Sequence, residues 1–159
     1  MNRVILKMRL HPQAHAHIER FLCDYFVDEA VALPQLKIYC GAWTHGLAAL
    51  FRIGAITVGK RIFVAPKYLV RDAVTKQLKL PGWLVAHEAV HVLQYRREGM
   101  LGFLGGYLRE YLKNLFNQRR CGAKSRMTAY LAISYEAQAH AAEKAYVRWR
   151  QRRAQSNLW

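Results

Sequence analysis

Cysteine is scarce. The three that occur, Cys23, Cys40 and Cys121, are odd in number and far apart, with no CxxC pair. That excludes a disulfide framework or a zinc ribbon and reads as buried thiols of a reducing compartment. Acidic residues are also few: 10 against 25 lysines and arginines give a formal charge of +15. Such a chain carries a strong positive field, which favours nucleic acid, another polyanion or an acidic substrate as partner. No hydrophobic run is long enough for a signal peptide or a transmembrane helix, since residues 1–10 interleave Arg3, Lys7 and Arg9 with apolar side chains. The expected location is cytoplasmic, or outside the cell by a route that needs no signal peptide. What the chain does have is 53% hydrophobic residues over 159 positions. That is enough for a single domain with a real core, and it argues against disorder.

Taken in order, Val4, Leu6, Met8 and Leu10 alternate with Lys7 and Arg9 and predict a short strand. From Pro12 the spacing of Ile18, Phe21, Leu22, Tyr25 and Phe26 becomes helical, with proline well placed in the first turn. His11, His15 and His17 near its start lack a carboxylate or cysteine to complete a metal site and read as surface residues. Residues 36–39 and 53–58 look like strands, and Gly59-Lys60 turns the second of these into residues 61–65. The expectation is a small antiparallel sheet. Its hairpin, residues 56–65, is either an edge that receives an extended substrate as an added strand or simply scaffold. His45 sits in a loop with no partner that the sequence reveals.

The chemistry concentrates in His87-Glu88-Ala89-Val90-His91. Pro81-Gly82 breaks the chain just before it, and residues 83–97 read as one helix, with Arg96 and Arg97 in its last turn and Gly99 as a stop signal. Histidines four residues apart share one face, so both imidazoles reach one ion, and the Glu88 carboxylate hangs beside them as a proton acceptor. After a glycine-rich entry, Leu104, Leu108, Tyr111, Leu112 and Leu115 keep helical spacing. This amphipathic helix is a core element, a lid over the site, or a surface that touches a membrane. A basic turn, residues 119–126, leads into a final long helix at about 128–152 that carries Tyr135-Glu136, His140 and Glu143. A catalytic metal needs a third protein ligand. Glu136 is the preferred candidate, with His140 as an alternative ligand or a supporting residue. Ala137, Ala139, Ala141 and Ala142 would let the two helices approach closely. Tyr107, Tyr130 and Tyr135 are all candidates to stabilise an oxyanion.

The hairpin Ile56-Thr57-Val58-Gly59-Lys60-Arg61-Ile62-Phe63-Val64-Ala65-Pro66, followed by Leu84 to Gln94 around the motif, resembles the zinc metallopeptidase domain called the eCIS core domain. Tyr135-Glu136 with its following alanines is similar to that group's downstream Tyr-Glu element and to the Glu-x-x-Ala-Asp element of HtpX-like gluzincins. The resemblance covers roughly residues 50–145 and leaves residues 1–50 uncovered. It implies an α+β, mainly helical zincin-like domain with the small sheet beside the HExxH helix. It further implies Zn2+ held by His87, His91 and Glu136, Glu88 as general base, and a peptide or protein substrate. Where the gluzincin pattern has an aspartate four residues after its glutamate, this chain has His140, so the usual carboxylate support of a zinc histidine is missing or replaced. Two other functions compete with a plain peptidase. One is a SprT-like DNA-associated protease, suggested by the basic tail, residues 148–153, near Tyr146, Trp149 and Trp159. The other is a non-catalytic zinc-binding interaction module.

Overall fold

The computed structural model describes residues 6–41, 54–71, 78–118 and 122–156. Strand β1 (Leu6–Arg9) leads into helix α1 (Pro12–Phe26), which is followed by β2 (Lys37–Cys40), β3 (Ala55–Val58) and β4 (Arg61–Val64). A short 3-10 turn (Pro66–Tyr68) and the strand pair β5 (Val70–Arg71) and β6 (Leu78–Lys79) precede α2 (Gly82–Phe116), α3 (Ala123–Leu131) and α4 (Ser134–Ser156). The molecule is mainly helical, with a small sheet packed beside the helix that carries the HExxH sequence. His45, Cys121, Trp43 and Trp159 lie outside the described residues. Cys23 and Cys40 are free thiols, Cys40 buried and Cys23 partly so.

The four-stranded sheet runs β1-β2-β4-β3 and is mixed, where the sequence predicts an antiparallel one. The expected hairpin is there: β3 and β4 pair antiparallel through Gly59, whose positive φ of 58° the tight turn requires. β2, however, joins β4 in parallel, with Lys37 opposite Arg61 and Cys40 opposite Val64. Alternation within a strand predicts its two faces but says nothing of which neighbour it meets, or in which direction. β3 is left at the edge.

The core forms where the inner face of the sheet meets α1, α2 and α4. Ile18, Phe21 and Leu22 from α1, Ile38, Ile62 and Val64 from the sheet, and Val85, Ala86, Ala89, Val90 and Val92 from α2 are all buried. Each large aliphatic side chain here contributes about 1.5–3 kcal/mol by leaving water. Of the alanines expected to let α4 approach, Ala139 and Ala142 are buried in the contact with α2, while Ala137 and Ala141 face outward. The start of α2 lies equally close to α4: a Cβ on Gly82 would run into the Tyr146 hydroxyl. Trp149 closes the end of this core, its indole N–H donating to Asp24 Oδ2 at 2.7 Å.

Two helices differ from their sequence reading. α2 runs past Gly99, which at φ 72° and ψ 172° breaks the helical geometry and divides it into a first arm, residues 82–98, and a second arm, residues 100–116. The stop signal therefore acts as a kink. The final helix is interrupted: instead of one helix over 128–152, α3 ends at Leu131 and α4 begins at Ser134. The cause is tertiary. Glu110 on the second arm accepts hydrogen bonds from Ser134 N (2.7 Å) and Ser134 Oγ (2.8 Å), capping a new helix start, while Ile133 is fully buried as the anchor between the two.

Candidate metal centre

The site is assembled from α2, α3, α4 and β3. On the first arm of α2, the spacing of His87 and His91 brings their rings to 5.0 Å centroid separation on one face. From α4, Glu136 projects between them. Its Oε2 lies 3.6 Å from His87 Nε2 and its Oε1 lies 3.5 Å from His91 Nε2. All three side chains are buried, and their ligand atoms lie within 4.8 Å of one another. Those separations are longer than a charge-assisted hydrogen bond, about 2.7–2.9 Å. They approach the roughly 3.4 Å between two tetrahedral ligands that each sit about 2.0–2.1 Å from a shared zinc. The donor set therefore fits a divalent metal.

The remaining nitrogen of each histidine already faces an acceptor, which orients the ring. Gln94 Nε2 donates to Gln138 Oε1 (2.8 Å) and to the Tyr135 carbonyl (3.2 Å), so its Oε1 is left to accept from His91 Nδ1 at 2.8 Å. At His87, Nδ1 faces Glu143 Oε2 at 3.3 Å. Nε2 of each imidazole is therefore the atom that faces Glu136, and a bound metal would meet the Nε2 lone pairs in place of the N–H groups that otherwise point at the carboxylate. The carboxylate support that the sequence shows to be missing four residues after Glu136 comes from Glu143, two helical turns along. His140 occupies the vacated position. Its ring lies 4.7 Å from that of His87, and its Nδ1 lies 3.1 Å from Glu143 Oε2. His87, His140 and Glu143 form a second group whose ligand atoms lie within 4.8 Å of one another, and in it Glu143 faces His87 at Nδ1, the nitrogen turned away from Glu136.

Tyrosine hydroxyls hold Glu136 from the other side. Tyr107 on the second arm of α2 donates to Oε1 at 2.8 Å, and Tyr130 on α3 donates to Oε2 at 2.7 Å. Burial would raise the Glu136 pKa, but the facing N–H groups of His87 and His91, the charge of His91 and the hydrogen bond from Tyr130 outweigh it and hold the carboxyl well below its usual range. Burial, and after it the charge of Glu136, push both tyrosine pKa values far up, so both hydroxyls stay protonated as donors. His91 feels the same field. Burial lowers its pKa, and the facing Glu136 with Glu88 and Gln94 more than reverses this. The pocket is thus electrostatically built for a cation. Tyr135 points elsewhere, its hydroxyl donating to Glu98 Oε2 at 2.6 Å.

Glu88 is buried next to the histidines, and Thr57 Oγ1 on β3 donates to its Oε2 at 2.7 Å. That contact ties the edge strand to the proposed base. Sequence reasoning places Thr57 in the hairpin of residues 56–65 but gives its hydroxyl no role, since Glu88 lies 31 residues away along the chain. Glu143 did leave a signal, because a residue seven beyond Glu136 falls on the same helix face.

His87-Glu88-x-x-His91 with the downstream Tyr135-Glu136 element matches a gluzincin-like HExxH zinc-binding site, of the kind that forms the active site of zinc metallopeptidases. No family model, curated protein or solved structure matches this chain.

Proposed function

We propose that residues 1–159 form one zincin-like domain that hydrolyses peptide bonds with zinc as its metal. The observation that carries this reading is the placement of Glu136 between the two Nε2 atoms of the HExxH helix, with both Nδ1 atoms facing a neighbour and both Glu136 oxygens held by a tyrosine. His87, His91 and Glu136 would hold the ion. Zinc bound there supplies Lewis-acid chemistry, acidifying water and polarising a carbonyl. Glu88 then serves as general base: Thr57 restrains Oε2, leaving Oε1 to take the proton of the attacking water and pass it to the leaving amine. Tyr107 and Tyr130 keep Glu136 aligned; each has a single O–H, already donated to that carboxylate, so stabilising an oxyanion would require one of them to release it. β3 has no partner on its outer side among the described residues, and so offers an edge on which an extended peptide adds as a strand beside Glu88.

The DNA-associated reading gains little support. Tyr146 and Trp149, the rings near the basic tail, are buried in the core, so the tail's described residues present cations without free stacking surfaces. A non-catalytic module remains the competitor, and one experiment separates it from the peptidase. Elemental analysis of the untagged protein is expected to find about one zinc per chain. Glu136→Ala loses that zinc, His140→Ala keeps it, and Glu88→Gln keeps it while abolishing cleavage of a peptide library. A parent without zinc after reconstitution refutes the metallopeptidase. Zinc retained in Glu136→Ala but lost in His140→Ala refutes the ligand set, and zinc-loaded parent cleaving no better than Glu88→Gln refutes the enzyme.

A further inference from the structure

The second arm of α2 has two unlike faces. Inward, Phe103 is buried, Tyr107 donates to Glu136 and Glu110 caps α4. Outward, Leu101, Leu104, Leu108, Leu112 and Phe116 follow one another at intervals of three or four residues, exposed by 86, 46, 56, 39 and 81%. At 1.5 Å per residue they form a continuous apolar stripe about 22 Å long. Single exposed leucines need no explanation, but a contiguous stripe on a polar molecule marks an interaction surface.

The charges around the stripe say what it meets. Arg109 and Lys113 are exposed along one flank, and Lys124 and Arg126 are exposed on α3, the next element. Between residues 99 and 135 the sequence holds six lysines and arginines and a single acidic residue, Glu110, which is engaged with Ser134. A second copy would set these cations against the same cations, and net +15 against +15. An anionic lipid surface complements both features at once: acyl chains take the leucines and headgroup phosphates take the cations. No helix among the described residues is long and apolar enough to cross a membrane, and the inward face of this arm is committed to the site.

We propose that the outer face of residues 100–116 docks in the plane of an anionic membrane surface, holding the metal centre beside the lipid. The arm that docks is the one that supplies Tyr107, so the site lies one helix diameter from the interface. This reading is independent of catalysis and is tested without it.

The test is sedimentation of the full chain with phosphatidylcholine vesicles and with vesicles that also contain phosphatidylglycerol. Binding is expected only to the anionic vesicles and weakens as salt screens the charges. Leu104→Asp/Leu108→Asp and, separately, Arg109→Glu/Lys113→Glu should each reduce it roughly tenfold or more. Arg148→Glu/Arg152→Glu, on the distant tail, should leave most of it. The charge-reversal pair keeps the test decisive if the leucine variant fails to fold. Absence of binding to anionic vesicles overturns the proposal. So does binding that survives both arm variants and is lost in the tail variant, which is diffuse adsorption. A parent that fails to bind vesicles but is a dimer, made monomeric by Leu104→Asp/Leu108→Asp, assigns the stripe to a second copy instead.

Discussion

A histidine coordinates a metal only through the nitrogen that keeps its lone pair, so the partner of Nδ1 decides what Nε2 can do. At His91 that partner is Gln94, three residues on along the same helix; the sequence displays that spacing but gives Gln94 no role. At His87 it is Glu143 on another helix, where the sequence pattern puts Glu143 on the face of Glu136 and His140 without saying which residue it meets. The contact was hidden because it depends on how α4 is rotated against α2, which Ala139 and Ala142 settle by packing. Glu143→Ala should therefore weaken zinc binding about 10–100-fold, as measured by competition with a chromogenic chelator. Glu143→Gln, whose amide oxygen still accepts from Nδ1, should recover most of the loss. Equal affinities in the parent and Glu143→Ala would remove Glu143 from the site. This readout needs no cleavage assay, so it holds even if the substrate stays unidentified.

Helical periodicity exposed α1, which buries a stripe whose spacing the sequence displays, whereas the first arm of α2 is buried on every side from Leu84 to Val92 and was legible from its motif and its flanking Pro81-Gly82. What it left out were breaks imposed by partners distant in sequence: the Glu110 cap that starts α4 at Ser134, and the parallel alignment of β2 with β4. The kink at Gly99 is intermediate, signalled by a glycine yet followed by more helix instead of a loop. Its φ of 72° and ψ of 172° fall in a region essentially reserved for glycine, so Gly99→Ala is expected to cost about 1–3 kcal/mol although no atom lies within 4 Å of the added methyl. Because Tyr107 and Glu110 ride on the arm beyond the kink, zinc affinity should fall with the melting temperature. Gly105→Ala is the control. It too meets open space, but within regular helix, and should stabilise by about 0.5–1 kcal/mol. Calorimetry of the two variants checks both signs, and equal effects would mean that the kink carries no strain.

Across the whole molecule, the metal centre is also a structural joint. His87 and His91 belong to α2, Glu136 to α4, and the tyrosines that hold Glu136 come from the second arm and from α3, so one ion would link every helix that follows the sheet. A ligand that binds only the folded chain stabilises it by RT ln(1 + [L]/Kd), about 2.7 kcal/mol at a hundredfold excess over Kd. For a chain of this size, 1 kcal/mol moves the melting temperature by roughly 2–4 °C, so stripping the metal should lower it by about 5–11 °C. The form of the transition carries as much information as its midpoint. If the helices and the sheet are one cooperative unit, chelator moves a single calorimetric peak intact; if the ion joins separable parts, the peak splits and the helical part melts first. The shared core of α1, α2, α4 and the sheet predicts the former. Glu88→Gln should show the full chelator-dependent shift and Glu136→Ala none, because only the latter removes a ligand. A shift of the parent's size in Glu136→Ala would place the stabilising ion somewhere other than between His87 and His91.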